Sequence, residues 1–96
     1  MVIKHEYGEL YYSKVDGRWY IDSIFVDQWH RNEGVGSWLM NVALRRCGRP
    51  VFLYATNELG GNINGLKRFY KRFGFEQIRQ HKSDTFPHKY NMMLER

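Results

Sequence analysis

The chain holds a single cysteine, Cys47, among its 96 residues. That excludes an intramolecular disulfide framework and a Cys-rich zinc site. Its four histidines, His5, His30, His81 and His88, show no HExxH or comparable helical spacing, so no metal and no histidine catalysis is expected. No run approaches the eighteen or so apolar residues of a membrane span, and the first ten residues, "MVIKHEYGEL", lack the apolar centre of a secretory signal. The expectation is a soluble, cytoplasmic chain with no membrane contact. Internal repeats, low-complexity tracts and linkers are also missing, and a chain of this size cannot bury two independent cores. One domain over residues 1–96 is expected.

What is present is apolar and basic. Hydrophobic residues make up 43% and aromatics 17%, while 15 Lys and Arg against 10 Asp and Glu leave a net charge of +5. Such a balance attracts anions: nucleic acid, an acidic protein or a phosphorylated cofactor. The aromatics follow core periodicity and do not alternate with a basic sheet face, so nucleic acid ranks last. Cys47 falls in a helical pattern and reads as buried structure.

Residues 2–26 are extended in pattern, "VIKHEY", "ELYYSKV" and "RWYIDSIFV", broken at Gly8 and at Asp16-Gly17, the latter a type I′ hairpin signal. Val35, Trp38, Leu39, Val42, Ala43 and Cys47 then mark the apolar stripe of a helix ending by Gly48 and Pro50. "VFLYAT" reads as a buried central strand and "NELGGNING" as a loop. In "LKRFYKRF", Leu66, Phe69, Tyr70 and Phe73 share one helical face, stopped by Gly74. "FEQIRQHK" and "YNMMLER" read as strands joined by "SDTFPH". The order is βββαβαββ. It implies an α/β (α+β) fold with a mixed, mostly antiparallel sheet, a central parallel pair joined by a right-handed crossover, and two main helices.

Gly34 and Gly36 stand where the first helix must begin, although glycine is a poor helix former. A helix N-terminus exposes free amides and the positive end of its dipole, so a strand-loop-helix junction is a ready anion site. The dinucleotide pattern G-x-G-x-x-G fails at Leu39, and a Walker loop fails because no Gly-Lys-Ser/Thr follows. Arg31-Asn32-Glu33-Gly34-Val35-Gly36 fits R-x-x-G-x-G, directly between a strand and an amphipathic helix.

With its surroundings, "YIDSIFVDQWHRNEGVGSWLM", this segment resembles the core of the GNAT superfamily of N-acetyltransferases. "LKRFYKRFGFE" resembles the family's late helix with its Gly-Phe exit. The resemblance covers Trp19 to the C-terminus well and the first meander loosely. It implies a GNAT-like fold and an acetyl-CoA-dependent transfer to a primary amine, either a protein lysine or N-terminus or a small amine, by direct attack in a ternary complex. The main-chain amides of Asn32, Glu33, Gly34, Val35, Gly36 and Ser37 would hold the pyrophosphate, with Arg31 adding a charge-assisted contact. Ile24, Phe25 and Val26 would pair through their backbone with the pantetheine arm, as if it were an added strand. Tyr70 would stand near the sulfur and protonate the departing thiolate; the plain alternative is a core tyrosine.

Asp22, two residues from Tyr20 and Ile24 and therefore expected on their face, is the candidate to bind or deprotonate the amine, against the plain reading of a solvent-facing acid. The family's asparagine before the late helix is displaced here, since Ile63 occupies its position and Asn62 and Asn64 straddle it; Asn64 is kept as a candidate contact. Lys67, Arg68 and Lys71 form a basic face that reads as solvated surface, with a remaining phosphate of the coenzyme within its reach. Family members usually begin with a further strand and covering helices absent from this chain. The acceptor cleft is thus expected to be open to a large protein or completed in a homodimer. The same missing cover supports a different class of function, a catalytically degenerate module that binds CoA or inhibits a protein partner.

Overall fold

A computed structural model describes residues 1–55, 63–78 and 90–95. Its elements are β1 (Val2–His5), β2 (Gly8–Val15), β3 (Arg18–Val26), α1 (Val35–Arg46), β4 (Val51–Leu53), α2 (Ile63–Lys71), β5 (Glu76–Gln77) and β6 (Met92–Leu94), with one 3₁₀ turn at Gln28–His30. The order is the expected one. Among the described residues six strands form one sheet arranged β1-β2-β3-β4-β6-β5, in which β3 and β4 run parallel and the other neighbours antiparallel. The mixed sheet with its parallel pair and two helices is therefore as read from the pattern. Asp16 and Gly17 both take positive φ, 51° and 78°, as a type I′ turn requires.

Boundaries differ in places. β4 ends at Leu53, three residues short of the apolar run "VFLYAT". The side-chain amide of Asn91 explains part of this: its Nδ2 donates to the Ala55 carbonyl at 2.7 Å and its Oδ1 accepts from the Ala55 amide at 2.8 Å, replacing a strand partner where the ladder stops. α2 begins at Ile63, so Asn64 and Gly65, expected in a loop, are helical. The expected "SDTFPH" connection, the loop from Asn57 to Asn62 and the end of "FEQIRQHK" lie outside the described residues.

Both helices contribute to one core. Leu10, Tyr12 and Ile21 from the sheet, Val35, Leu39, Met40 and Ala43 from α1, and Tyr70 from α2 belong to a single buried cluster. Cys47 is in it too, as expected, and burial pushes its thiol pKa up. Trp38, by contrast, is 45% exposed, although the periodicity placed it on the apolar stripe. It meets the edge of the His5 ring at 5.1 Å instead of entering the core. A second, smaller cluster unites Tyr20, Phe52 and Tyr90.

Between the two clusters β3 carries a bulge. Tyr11 pairs with Ser23 while Tyr12 pairs with Ile21, so Asp22 is the extra residue. The expectation that Asp22 shares a face with Tyr20 and Ile24 is thereby corrected: Tyr20 packs in the smaller cluster and Ile24 against the larger one. Simple alternation fails because one inserted residue inverts every side chain beyond it.

Gly8 shows how tightly β2 approaches the far end of β3. A Cβ there would lie 2.5 Å from the Phe25 carbonyl oxygen and 3.3 Å from both the Val26 Cα and the Val35 side chain. Backbone cannot yield as a flexible side chain does. Gly8→Ala is expected to destabilise the domain by about 2 kcal/mol, as overpacked sites do. A lower denaturation midpoint at unchanged m-value checks it.

Candidate functional site

The parallel ladder between β3 and β4 covers only Trp19–Ile21 against Val51–Leu53. Because β4 ends at Leu53, β3 has no β4 partner from Asp22 to Val26. Beside this part of β3 is a groove of about 530 Å³. Ile24 and Val26 of β3, His30, Arg31, Asn32 and Gly34 of the loop, and Val35, Gly36 and Ser37 of α1 line it. Leu66 and Phe69 of α2, with Arg72 just beyond that helix, complete the wall.

The two glycines serve this groove in different ways. Gly34 is the N-cap of α1 at φ 85°, and a Cβ on it would meet nothing within 4 Å. Its requirement is conformational, the left-handed region that side chains disfavour. Asn32, at φ 67°, has the same sense of turn. Gly36 is helical, and a Cβ there would press on the Phe69 ring at 3.3 Å, so its requirement is space between α1 and α2.

No side chain caps α1, and its first internal bond runs from the Trp38 amide to the Gly34 carbonyl at 2.9 Å. Among the described residues the amides of Val35, Gly36 and Ser37 thus have no partner, at the positive end of the helix dipole and on the groove wall. Arg31 and Arg72 add full charges, and among the described residues neither forms an ion pair. Such an arrangement favours negative charge in the groove.

The loop is braced from the turn between β1 and β2. His30 stacks on Tyr7 with ring centroids 3.5 Å apart and planes 9° from parallel, and its Nδ1 lies 3.0 Å from the Glu33 carboxylate. The Asp27 amide donates to the Tyr7 carbonyl at 2.8 Å, while the Asp27 carboxylate accepts from the Trp29 amide at 2.9 Å and caps the 3₁₀ turn. His30, Leu66, Phe69 and Arg72 had no assigned part in the groove from sequence. Helical periodicity could have supplied Leu66 and Phe69. Nothing local marks His30, whose partner Tyr7 is 23 residues earlier in the chain.

Of the residues expected from sequence, Ile24, Val26, Arg31, Asn32, Gly34, Val35, Gly36 and Ser37 share the groove. Phe25 is 61% exposed and off its wall, Glu33 is turned to His30, and Asn64 is exposed on α2. Asp22 is exposed on the bulge. Tyr70 is buried and is not among the lining residues; its ring meets that of Phe69, which is, edge-on at 5.4 Å, and burial raises its pKa to about 12. Among the described residues no group of three His, Cys, Asp or Glu could hold a metal ion, and no helix is long and apolar enough to cross a membrane.

The sequence model of the acetyltransferase (GNAT) domain matches residues 2–77. The chain belongs to the GNAT acetyltransferase family. This GNAT domain is similar in structure to the anti-CRISPR protein AcrVA5, with a TM-score of 0.72 and 25% identity over 97% of this chain and 94% of that one. It is also similar to Ard1 from Thermoplasma volcanium, TM-score 0.67 and 26% identity over 93% of this chain but 62% of Ard1. A third likeness is to Naa50 of Arabidopsis thaliana in complex with the bisubstrate analogue CoA-Ac-MVNAL, TM-score 0.59 and 26% identity, covering 91% and 63% of the two chains. No curated protein sequence matches.

Proposed function

We propose that this GNAT domain transfers an acetyl group from acetyl-CoA to a primary amine by direct attack within a ternary complex. One observation supports the reading above the others: the first turn of α1, uncapped among the described residues and with Gly34 at its head, faces a groove that also holds Arg31 and the edge of β3 beyond its pairing with β4. Amides of the first turn would take the diphosphate. The free edge at Ile24–Val26 would pair with the amides of the pantetheine arm.

In the reaction the neutral amine attacks the thioester carbonyl carbon, and an N–H of the free β3 edge would stabilise the resulting oxyanion. Collapse breaks the C–S bond. The amine gives its proton to a base, for which Asp22 or a water chain is proposed, and the sulfur receives one, for which Tyr70 is proposed. Cys47, buried and with a raised pKa, has no part in it.

The analogue bound to Naa50 joins CoA through an acetyl group to a peptide, which favours a protein amine as acceptor. A second reading is a catalytically degenerate module that binds CoA or inhibits a protein partner; the near whole-length likeness to an anti-CRISPR protein bears on a protein partner and leaves turnover to experiment. Calorimetric titration with acetyl-CoA, followed by intact-mass analysis of proteins and polyamines incubated with the chain, tests both. Binding with a gain of one acetyl group on an acceptor is the expected outcome. Binding without any mass gain would leave the second reading.

A further inference from the structure

The loop that leads from Arg31 into α1 is shaped by two left-handed residues, Asn32 at φ 67° and Gly34 at φ 85°. Glycine takes such angles freely, but at Asn32 a side chain occupies a sparsely populated region, and backbone of that kind persists only where its surroundings fix it. Among the described residues, Asn32, Glu33 and Gly34 make no hydrogen bond or ion pair outside α1 except that of the Glu33 carboxylate to His30. Whatever fixes the loop from outside α1 therefore acts through His30.

His30 is in turn fixed by Tyr7, the residue on which its ring stacks. Tyr7 is held on three sides. It packs against the main core cluster, its carbonyl accepts from the Asp27 amide at 2.8 Å, and its amide donates to His5 Nδ1 at 3.0 Å. It does not line the groove, so any influence it has on a ligand there passes through His30, which does.

The contact with Glu33 has a consequence of its own. An acid in a loop that attracts anions opposes them, yet Asn32 and Gly34 line the groove and Glu33 between them does not. Its carboxylate is drawn off to His30 Nδ1, 3.0 Å away.

We infer that Tyr7 and His30 form a clasp that sets the anion-binding loop before the coenzyme arrives. Tyr7 fixes His30, and His30 holds the Glu33 carboxylate out of the groove, so Tyr7 is a positioning residue for a ligand it does not touch. This rests on the reading of the groove as a CoA site. A loop already set presents its amides without the entropic cost of ordering them on binding.

The full chain is titrated calorimetrically with CoA as wild type, Tyr7→Phe, Tyr7→Leu, His30→Leu, the double variant Tyr7→Leu with His30→Leu, and His30→Leu with Glu33→Gln, and the thermal unfolding of each is read alongside. Tyr7→Leu is expected to weaken CoA about fivefold, within the range of one stacked aromatic pair, and Tyr7→Phe, which keeps the ring, should stay within about twofold of wild type. His30→Leu loses the stack and also frees the carboxylate to face the diphosphate, for a loss of about twentyfold. The stack can be lost only once, so the double variant of Tyr7 and His30 should bind like His30→Leu alone. Adding Glu33→Gln to His30→Leu should return the affinity to the level of Tyr7→Leu. Wild-type affinity in Tyr7→Leu, or losses that multiply to about a hundredfold in the double variant, would overturn the clasp while leaving the CoA site intact. Should Tyr7→Leu unfold at the titration temperature, the pair His30→Leu with and without Glu33→Gln decides, and equal affinities there would overturn it. If wild type did not bind CoA, the CoA reading itself would fall and this inference with it.

Discussion

Ser37→Asp is expected to weaken CoA binding at least about 100-fold while leaving the domain as stable as wild type or slightly more so. Ser37 is the third residue of α1 and lines the groove. An acidic side chain in the first turn of a helix is favourable by about 0.3–1 kcal/mol, so folding gains. The same carboxylate would stand where the diphosphate is proposed to sit. Two unit charges about 4 Å apart at an effective dielectric near 20 repel by about 4 kcal/mol, well over a hundredfold in affinity. Ser37→Asn adds similar bulk without charge and should bind CoA within a few-fold of wild type. Titrations and thermal melts of both variants check the prediction, and equal affinities for Asp and Asn would remove the anion site from the first turn.

Folding and binding thus make opposite demands on one position, and the contrast bears on how much of the molecule could be read from its residues. Element order was legible because apolar periodicity and turn chemistry are local: Asp16-Gly17 sets its own φ angles, and the α1 stripe repeats every 3.6 residues. Trp38 departs from that stripe because its partner is the His5 ring on β1, a contact no window along the chain contains. The early end of β4 has the same kind of cause, since Asn91 is 36 residues away from the Ala55 backbone it engages.

The candidate site divides along the same line. Gly34 was legible because a left-handed cap is a property of one residue, whereas the reason for Gly36 is an aromatic ring on another helix. The face of Asp22 was misread for want of one bulge, which depends on the pairing of Tyr11 and Tyr12 across the sheet. Arg72 lay in plain view in "LKRFYKRF". Its place in the groove follows from the packing of Phe69 against α1, which periodicity alone does not locate.

Tyr70→Phe is expected to lower kcat about 100-fold with the KM for acetyl-CoA within about twofold. The Tyr70 ring is buried against Phe69 and, among the described residues, its hydroxyl makes no hydrogen bond, so losing that one atom removes little binding or packing. A pKa of about 12 keeps the phenol protonated throughout the physiological range. It also makes the phenol a weaker acid than a thiol of pKa near ~8.5, so the proton transfer to sulfur is uphill and a hydrogen bond to the developing thiolate precedes it. This places the effect at the lower end of the roughly 10²–10⁴-fold range of general acid catalysis. Stability supplies an independent readout. Because burial raises the native pKa above the ordinary value of 10.0, the neutral phenol's contribution is fully present below about pH 10 and is lost as pH rises towards 12. A two-unit gap corresponds to about 3 kcal/mol, so wild type should lose that much stability across this window beyond what Tyr70→Phe loses. If Tyr70→Phe kept full turnover, the role of Tyr70 in protonating sulfur would be lost; if it kept a biological effect that involves no turnover, the inhibitory module would be the better description of the chain.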